Sequence, residues 1–244
     1  MNAARQRIIP QTCGLLAICA ALVISGCGGR RTPSEEALAV LALTTKAGIV
    51  DYAVDPDQLK HAAADYFATL AEAALTVDDP TLHILVGEAA YAESAVHRSL
   101  SVRARRDIER HQAALNLAMK SSHRTRVALS ASDVFRVLID DIVTDDAIPA
   151  GVMQLEHAGL RMRANLAATP VRWAGIASDQ ERAKAAREGF FPDMNDPKLK
   201  AQIATSSHAL DGAIGRHDSA AAQAVAAAQR DQVKQLKAYF KRPQ

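Results

Sequence analysis

Three pairs of side chains could do chemistry by virtue of their spacing. Asp79/His83, Glu93/His97 and Asp107/His111 each set a carboxylate four residues before an imidazole, and the pairs recur every 14 residues. On one continuous helix, fourteen residues turn about 1400°, within roughly 40° of four full turns, so all three pairs would share a face. A carboxylate beside an imidazole favours its charged form or orients it toward a metal. His83, His97 and His111 are therefore the candidate metal ligands or proton sensors. Successive pairs would stand about 21 Å apart along the axis, so they cannot share one ion. Zinc takes about four ligands at roughly 2.0–2.3 Å, and one pair supplies at most two. No other histidine is aligned by the sequence to complete a site. The expectation is a solvated row of weak side-chain pairs, without bound metal or cofactor.

Two further groups could meet a partner. Residues 103–126 carry seven Lys or Arg, with Arg103, Arg106 and Arg110 on one stretch, against Asp107 and Glu109. Residues 133–146 answer with five aspartates against Arg136. Either the two segments fold back and neutralise each other, or the basic one meets an anionic surface. Trp173, Phe190 and Phe191 fall in stretches that read as connectors, where an aromatic either anchors a partner or plugs the end of a helical bundle. No Gly-x-Ser-x-Gly elbow, phosphate-binding glycine loop, His-Glu-x-x-His or di-iron Glu-x-x-His set occurs, so no catalytic residue is assigned and an enzyme is not expected.

The N-terminus gives an address. Arg5 and Arg7 precede an apolar run of about a dozen residues, Cys13 to Ile24. A helix of that length rises roughly 18 Å, short of a bilayer core of about 30 Å. A basic start, a short apolar core and small residues describe a secretory signal. Ile24-Ser25-Gly26-Cys27 follows, and it resembles the lipobox of bacterial lipoproteins. The resemblance covers roughly the first 30 residues. It implies cleavage before Cys27, acylation of that cysteine and attachment to a lipid bilayer, with residues 1–26 removed. Gly28 and Gly29, rather than an acid, follow the cysteine. By resemblance to enteric lipoproteins this implies the outer membrane, facing the periplasm.

Removal of residues 1–26 takes away Arg5 and Arg7 and no acid, leaving 27 Lys+Arg against 27 Asp+Glu. A balanced chain has no global pull toward nucleic acid. Cys13 and Cys19 leave with the signal, and the lipid consumes Cys27, so the mature chain has no disulfide or thiolate metal site.

These groups must be positioned by helices. Alanine is abundant, aromatics make up 4%, and alternating strand-like runs are hard to find. The fold expected is all-α, a bundle of about six to seven helices including one or two long ones. A polar tether, 27–36, leads into a helical domain, 37–244. Its first helix, from Ala37 through Leu43, is apolar on every side and expected to be buried. Asp55-Pro56, Asp79-Pro80 and Asp196-Pro197 each place an acidic cap before proline at a helix start. A long helix from Leu82 through Ile108 and Leu115 to about Ser121 would carry the histidine pairs. A further helical stretch holds Val127 to Ile142, either continuous with the long helix or separated from it, and one more helix covers Val152 to Ala168. Segments 169–178 and 189–197 read as connectors around a short helix. The last helical stretch, from Lys198 to about Phe240, is divided near Gly212 and Gly215.

The function expected is that of a membrane-anchored envelope lipoprotein, a non-catalytic helical accessory that binds a protein partner in an assembly such as a secretion or conjugation system. The alternative is a periplasmic small-ligand or metal-binding bundle built on the histidines.

Overall fold

The computed structural model describes residues 55–142 and 148–241. The expected signal, tether and first helix (Ala37 to Leu43), with Cys27, Asp145 and Asp146, lie outside them. The described residues form an all-α bundle of eight α-helices: α1 (Pro56–Ala73), α2 (Asp79–Val96), α3 (Val102–Lys120), α4 (Arg124–Asp140), α5 (Ala150–Leu166), α6 (Trp173–Glu188), α7 (Pro197–Gly215) and α8 (Ser219–Phe240).

The starts follow the proline rule, with one shift. Asp55 and Asp196 cap α1 and α7, accepting from the amides of Asp57 and Leu199 at 3.0 and 2.9 Å. At α2 the cap is Asp78, not Asp79; it accepts from Thr81 at 2.9 Å, which moves Pro80 to the second helical position. Either of the first two positions tolerates a residue without an N–H, because those amides have no intrahelical acceptor.

The expected long helix from 82 to 121 is two helices. A single 3₁₀ turn, His97–Ser99, ends α2, and Leu100 is extended. Ser101 then caps α3 through the Ala104 amide at 3.1 Å. Serine hydroxyls compete for backbone groups and so favour such breaks. The expected short helix between connectors is also corrected: α6 starts at Trp173 and runs sixteen residues.

Two apolar cores share the molecule. Helices α1 to α4 enclose one and α5 to α8 the other. Helix α1 is buried almost all round, with Ala63, Ala64, Phe67, Leu70 and Ala71 each at most 2% exposed. Its alanines let α2 and α4 approach closely. Helix α5 belongs to both cores. Met153, Leu160 and Ala164 enter the first, while Val152, Leu155, Ala158, Met162 and Leu166 enter the second. At 100° per residue these sets lie on opposite sides of the helix.

Glycine in α5 tests this fit. A Cβ on Gly151 would meet the Ala186 carbonyl oxygen at 2.4 Å and Phe190 at 3.0 Å, whereas on Gly159 it meets nothing within 4 Å among the described residues. Gly159→Ala should therefore stabilise the fold by about 0.5–1 kcal/mol, the helix-propensity gain. Gly151→Ala should cost about 1–3 kcal/mol through overpacking. Urea midpoints of the two variants check the opposite signs.

Candidate functional site

The structure separates the histidine row. Asp79 and His83 begin α2, Glu93 and His97 end it, and Asp107 and His111 sit on α3. The common face required an unbroken helix, and Leu100 and Ser101 remove it. Each pair also behaves differently. Asp79 pairs with Arg124 at 2.5 Å. His97 does meet Glu93, at 2.9 Å. His111 lies 3.7 Å from Asp133 of α4, while Asp107 pairs with Arg110 at 2.9 Å. The expectation of three alike, solvated histidines is corrected at His111: it is half-buried, and burial lowers its pKa from the ordinary histidine value. Among the described residues, no three His, Cys, Asp or Glu side chains are grouped so as to hold a metal ion.

The basic and acidic segments do fold back on each other as α3 and α4. Their charges do not cancel pairwise. Between α3 and α4, among the described residues, His111 meets Asp133. Asp140 pairs with Arg136 on its own helix, and Asp141 with Lys60 of α1. Arg103, Arg106 and Arg110 remain exposed on α3. They share their face with Val102 and Leu117, which are 58% and 67% exposed.

The aromatic residues divide. Phe190 is fully buried in the second core, edge-on to Phe191 and Phe240 at 5.4 and 6.3 Å. As a partner contact it is corrected: it is a core residue. Phe191 is half-buried against the same core. Trp173, also half-buried, stacks on His217 at 4.9 Å and ties the start of α6 to the α7–α8 turn.

What the fold brings together, and single residues did not reveal, is two lines of charge along α5. His157, Arg161 and Asn165 form one line, since a four-residue step nearly repeats the helix turn. Arg161 donates to Asp133 of α4 at 2.5 Å and to Asp179 of α6 at 3.1 Å. Asp179 is 1% exposed and also accepts from Asn165 at 2.9 Å and Arg182 at 3.0 Å. His157 Nε2 lies 3.7 Å from Asp133. Glu156 and Arg163 form the other line. Arg163 meets Glu72 of α1 at 2.8 Å, Arg230 of α8 shares that carboxylate, and Lys237 of α8 meets Glu156 at 2.6 Å. Each line runs along a border between the two apolar faces of α5.

Electrostatics fit a structural role. Burial opposes the charged Asp133 carboxylate, but His157, Arg161 and His111 outweigh it and hold its pKa below the usual aspartate value. Burial opposes the Lys237 ammonium too, yet Glu156 and Asp65 keep its pKa raised. His157 goes the other way: burial, helped by Arg161 and Arg136, lowers its pKa despite Asp133. A His–Asp pair could act as a general base, but His157 is 4% exposed. Neither opening in the second core reaches it. One is a cavity of about 10 Å³ among Gln180, Gln229, Gln232, Ser206 and Ser207, room for about one water. The other is a wide, open cleft of about 780 Å³ between α6 and α7, past Lys184, Arg187, Phe191 and His208.

The buried histidine makes stability depend on pH. A folded-state pKa below the unfolded value of about 6.5 means that the unfolded chain binds more protons in the window just under that value. His157, and His111 with it, should therefore lower stability as pH drops from 7 toward 5; Glu156, whose pKa burial raises, works the other way, and Asp133, whose pKa is lowered, adds a further loss at more acidic pH. His157→Gln removes one of those linked protons. Its urea midpoint should decline less steeply between pH 7 and 5 than the parent's; an unchanged slope would place the linkage elsewhere.

The chain matches no family model, no curated protein and no solved structure.

Proposed function

We propose that the protein is a lipid-anchored component of the bacterial cell envelope that binds a protein partner and catalyses nothing. Cys27, following Ile24-Ser25-Gly26, takes the lipid, and Gly28-Gly29 sends the chain to the outer membrane, facing the periplasm. The observation that carries the binding role is the outer face of α3. Val102, Arg103, Arg106, Arg110, Ala113, Leu117 and Lys120 fall within about 100° of arc. Both ends of this face expose a large aliphatic side chain, and its middle is basic. Arginine beside exposed aliphatic area is the chemistry of a protein contact, and the complement is an acidic surface with an apolar patch.

The metal-binding alternative rested on the histidine row, of which the third pair lies on a different helix from the first two. An enzyme would need reactive groups within reach of a substrate, whereas the most perturbed groups here are paired inside the bundle. No helix among the described residues is long and apolar enough to cross a membrane.

Two measurements check the reading. Cys27→Ser should abolish labelling by a palmitate analogue in cells; normal labelling would remove the anchor. Reversing Arg103, Arg106 and Arg110 to Glu should leave the fold intact, at a cost of about 0.5 kcal/mol per site, because Asp107 exchanges its pairs with Arg103 and Arg110 for like charges. The same reversal should eliminate a photo-cross-link formed in cells from position 117. A cross-linked product unaffected by reversal would show that this face does not hold the partner.

A further inference from the structure

Arg187 is a cation to which the fold gives no counter-charge. Cations between the other helices do meet carboxylates: Arg161 lies between Asp133 and Asp179, Arg163 meets Glu72, and Lys237 meets Glu156. Arg187 stands half-buried near the end of α6. Among the described residues no carboxylate lies within ion-pair distance of it, and no acceptor takes a hydrogen bond from its guanidinium. Burial lowers its pKa from the ordinary arginine value, against the pull of Asp211, Glu181 and Glu188. Two of those acids are engaged by another cation, since Lys184 meets Glu181 at 2.7 Å and Asp211 at 2.9 Å. Gln180 also donates to Asp211, at 3.1 Å. Glu188 is exposed and points about 100° round the helix from Arg187.

Arg187 lies where the two openings of the second core adjoin. The cleft of about 780 Å³ and the cavity of about 10 Å³ have two lining residues in common, Arg187 and Ser207. Ser207 Oγ accepts from Gln180 at 2.9 Å, and its own proton has no acceptor among the described residues. A guanidinium fork and a hydroxyl, both with unused donors, thus border a cleft of ligand size. We propose that the α6–α7 cleft binds a small organic monocarboxylate, with its head on Arg187 and Ser207 and its apolar body against Phe191 and Pro192. The planar guanidinium matches a carboxylate through two parallel hydrogen bonds. Phe191 and Pro192 follow α6 and line the same cleft, and Ala204 on α7 adds a small apolar wall. The charge balance selects a single negative charge. Lys184 and Arg187 against Glu188 and Asp211 sum to zero, so the lining exerts no net pull on a dianion such as a phosphate monoester. Glu188 repels a second charge more than a first.

The site is independent of lipid attachment and of the α3 partner. To test it, 4-phenylbutyrate is titrated into the ¹⁵N-labelled full-length chain and the backbone amides are followed by NMR. Saturable shifts are expected at Arg187, Phe191, Ser207 and His208. The uncharged 4-phenylbutyramide should bind at least about tenfold more weakly, the loss of a charge-assisted contact. Phenyl phosphate should bind no better than the carboxylate. Arg187→Gln should weaken 4-phenylbutyrate about tenfold, while Arg172→Gln, at the opposite end of α6, should leave it unchanged. Amide positions away from the cleft should coincide between parent and variants; if Arg187→Gln fails to fold, the contrast between acid and amide in the parent decides. No saturable binding, equal binding of acid and amide, tighter binding of phenyl phosphate, or binding that survives Arg187→Gln would each overturn the assignment.

Discussion

Helix α5 is the constraint on which the rest depends. One side of it completes the core of α1 to α4, and the opposite side completes that of α5 to α8. A helix with two apolar faces has two borders, and polar groups there are neither in water nor in oil. The protein fills both with ion pairs. Arg161 lies between Asp133 and Asp179, while Glu72 gathers Arg163 and Arg230. Removing a partner of a fully buried charge costs about 3–5 kcal/mol; Asp179, 1% exposed, comes nearest that limit, and the partly exposed Asp133, Glu72 and Arg163 would lose less. The value of the pairs lies in selectivity. A rotated or shifted α5 would leave several charges unpaired at once.

This arrangement suits a scaffold better than a catalyst. The cores are filled with alanine and a few large side chains such as Phe67, Phe135 and Phe190. The perturbed titratable groups on α5 hold helices to one another. What α3 offers outward is a face of exposed cations and aliphatics, supported from behind by α4. Such a surface needs rigidity beneath it, because ordering a loose surface on binding would reduce affinity.

Local signals told the helix starts at Asp55 and Asp196. The ends were harder, for a physical reason. The α3–α4 and α7–α8 turns place Ser122 and His217 at φ 53°, where glycine is the usual occupant. His123 and Asp218 then donate across the turns to Ala118 and Ala213, each at 2.9 Å. Gly212 and Gly215 pointed near the second turn; nothing marked the first. Among Ser94, Ser99 and Ser101 lay the clue to the divided helix, but serine caps and mid-helix serines look alike until tertiary packing chooses. The charged lines were invisible for another reason. Glu72, Arg163 and Arg230 are distant in sequence, and only the fold makes them neighbours. Within α5, however, His157, Arg161 and Asn165 recur at helical spacing between apolar residues, and that is a signal of a polar border.

The central claim is that α5 and its two charged lines fuse two apolar cores into one cooperative body. Native-state hydrogen exchange of the intact chain tests it most directly, since it reports the opening free energy of each helix separately. The account predicts that the slowest amides of α1, α4, α5 and α8 share one opening free energy, equal to that of global unfolding, and that denaturant lowers them together. Contradiction would come from α7 and α8 opening as a separate unit at lower free energy while α1 to α4 stayed protected.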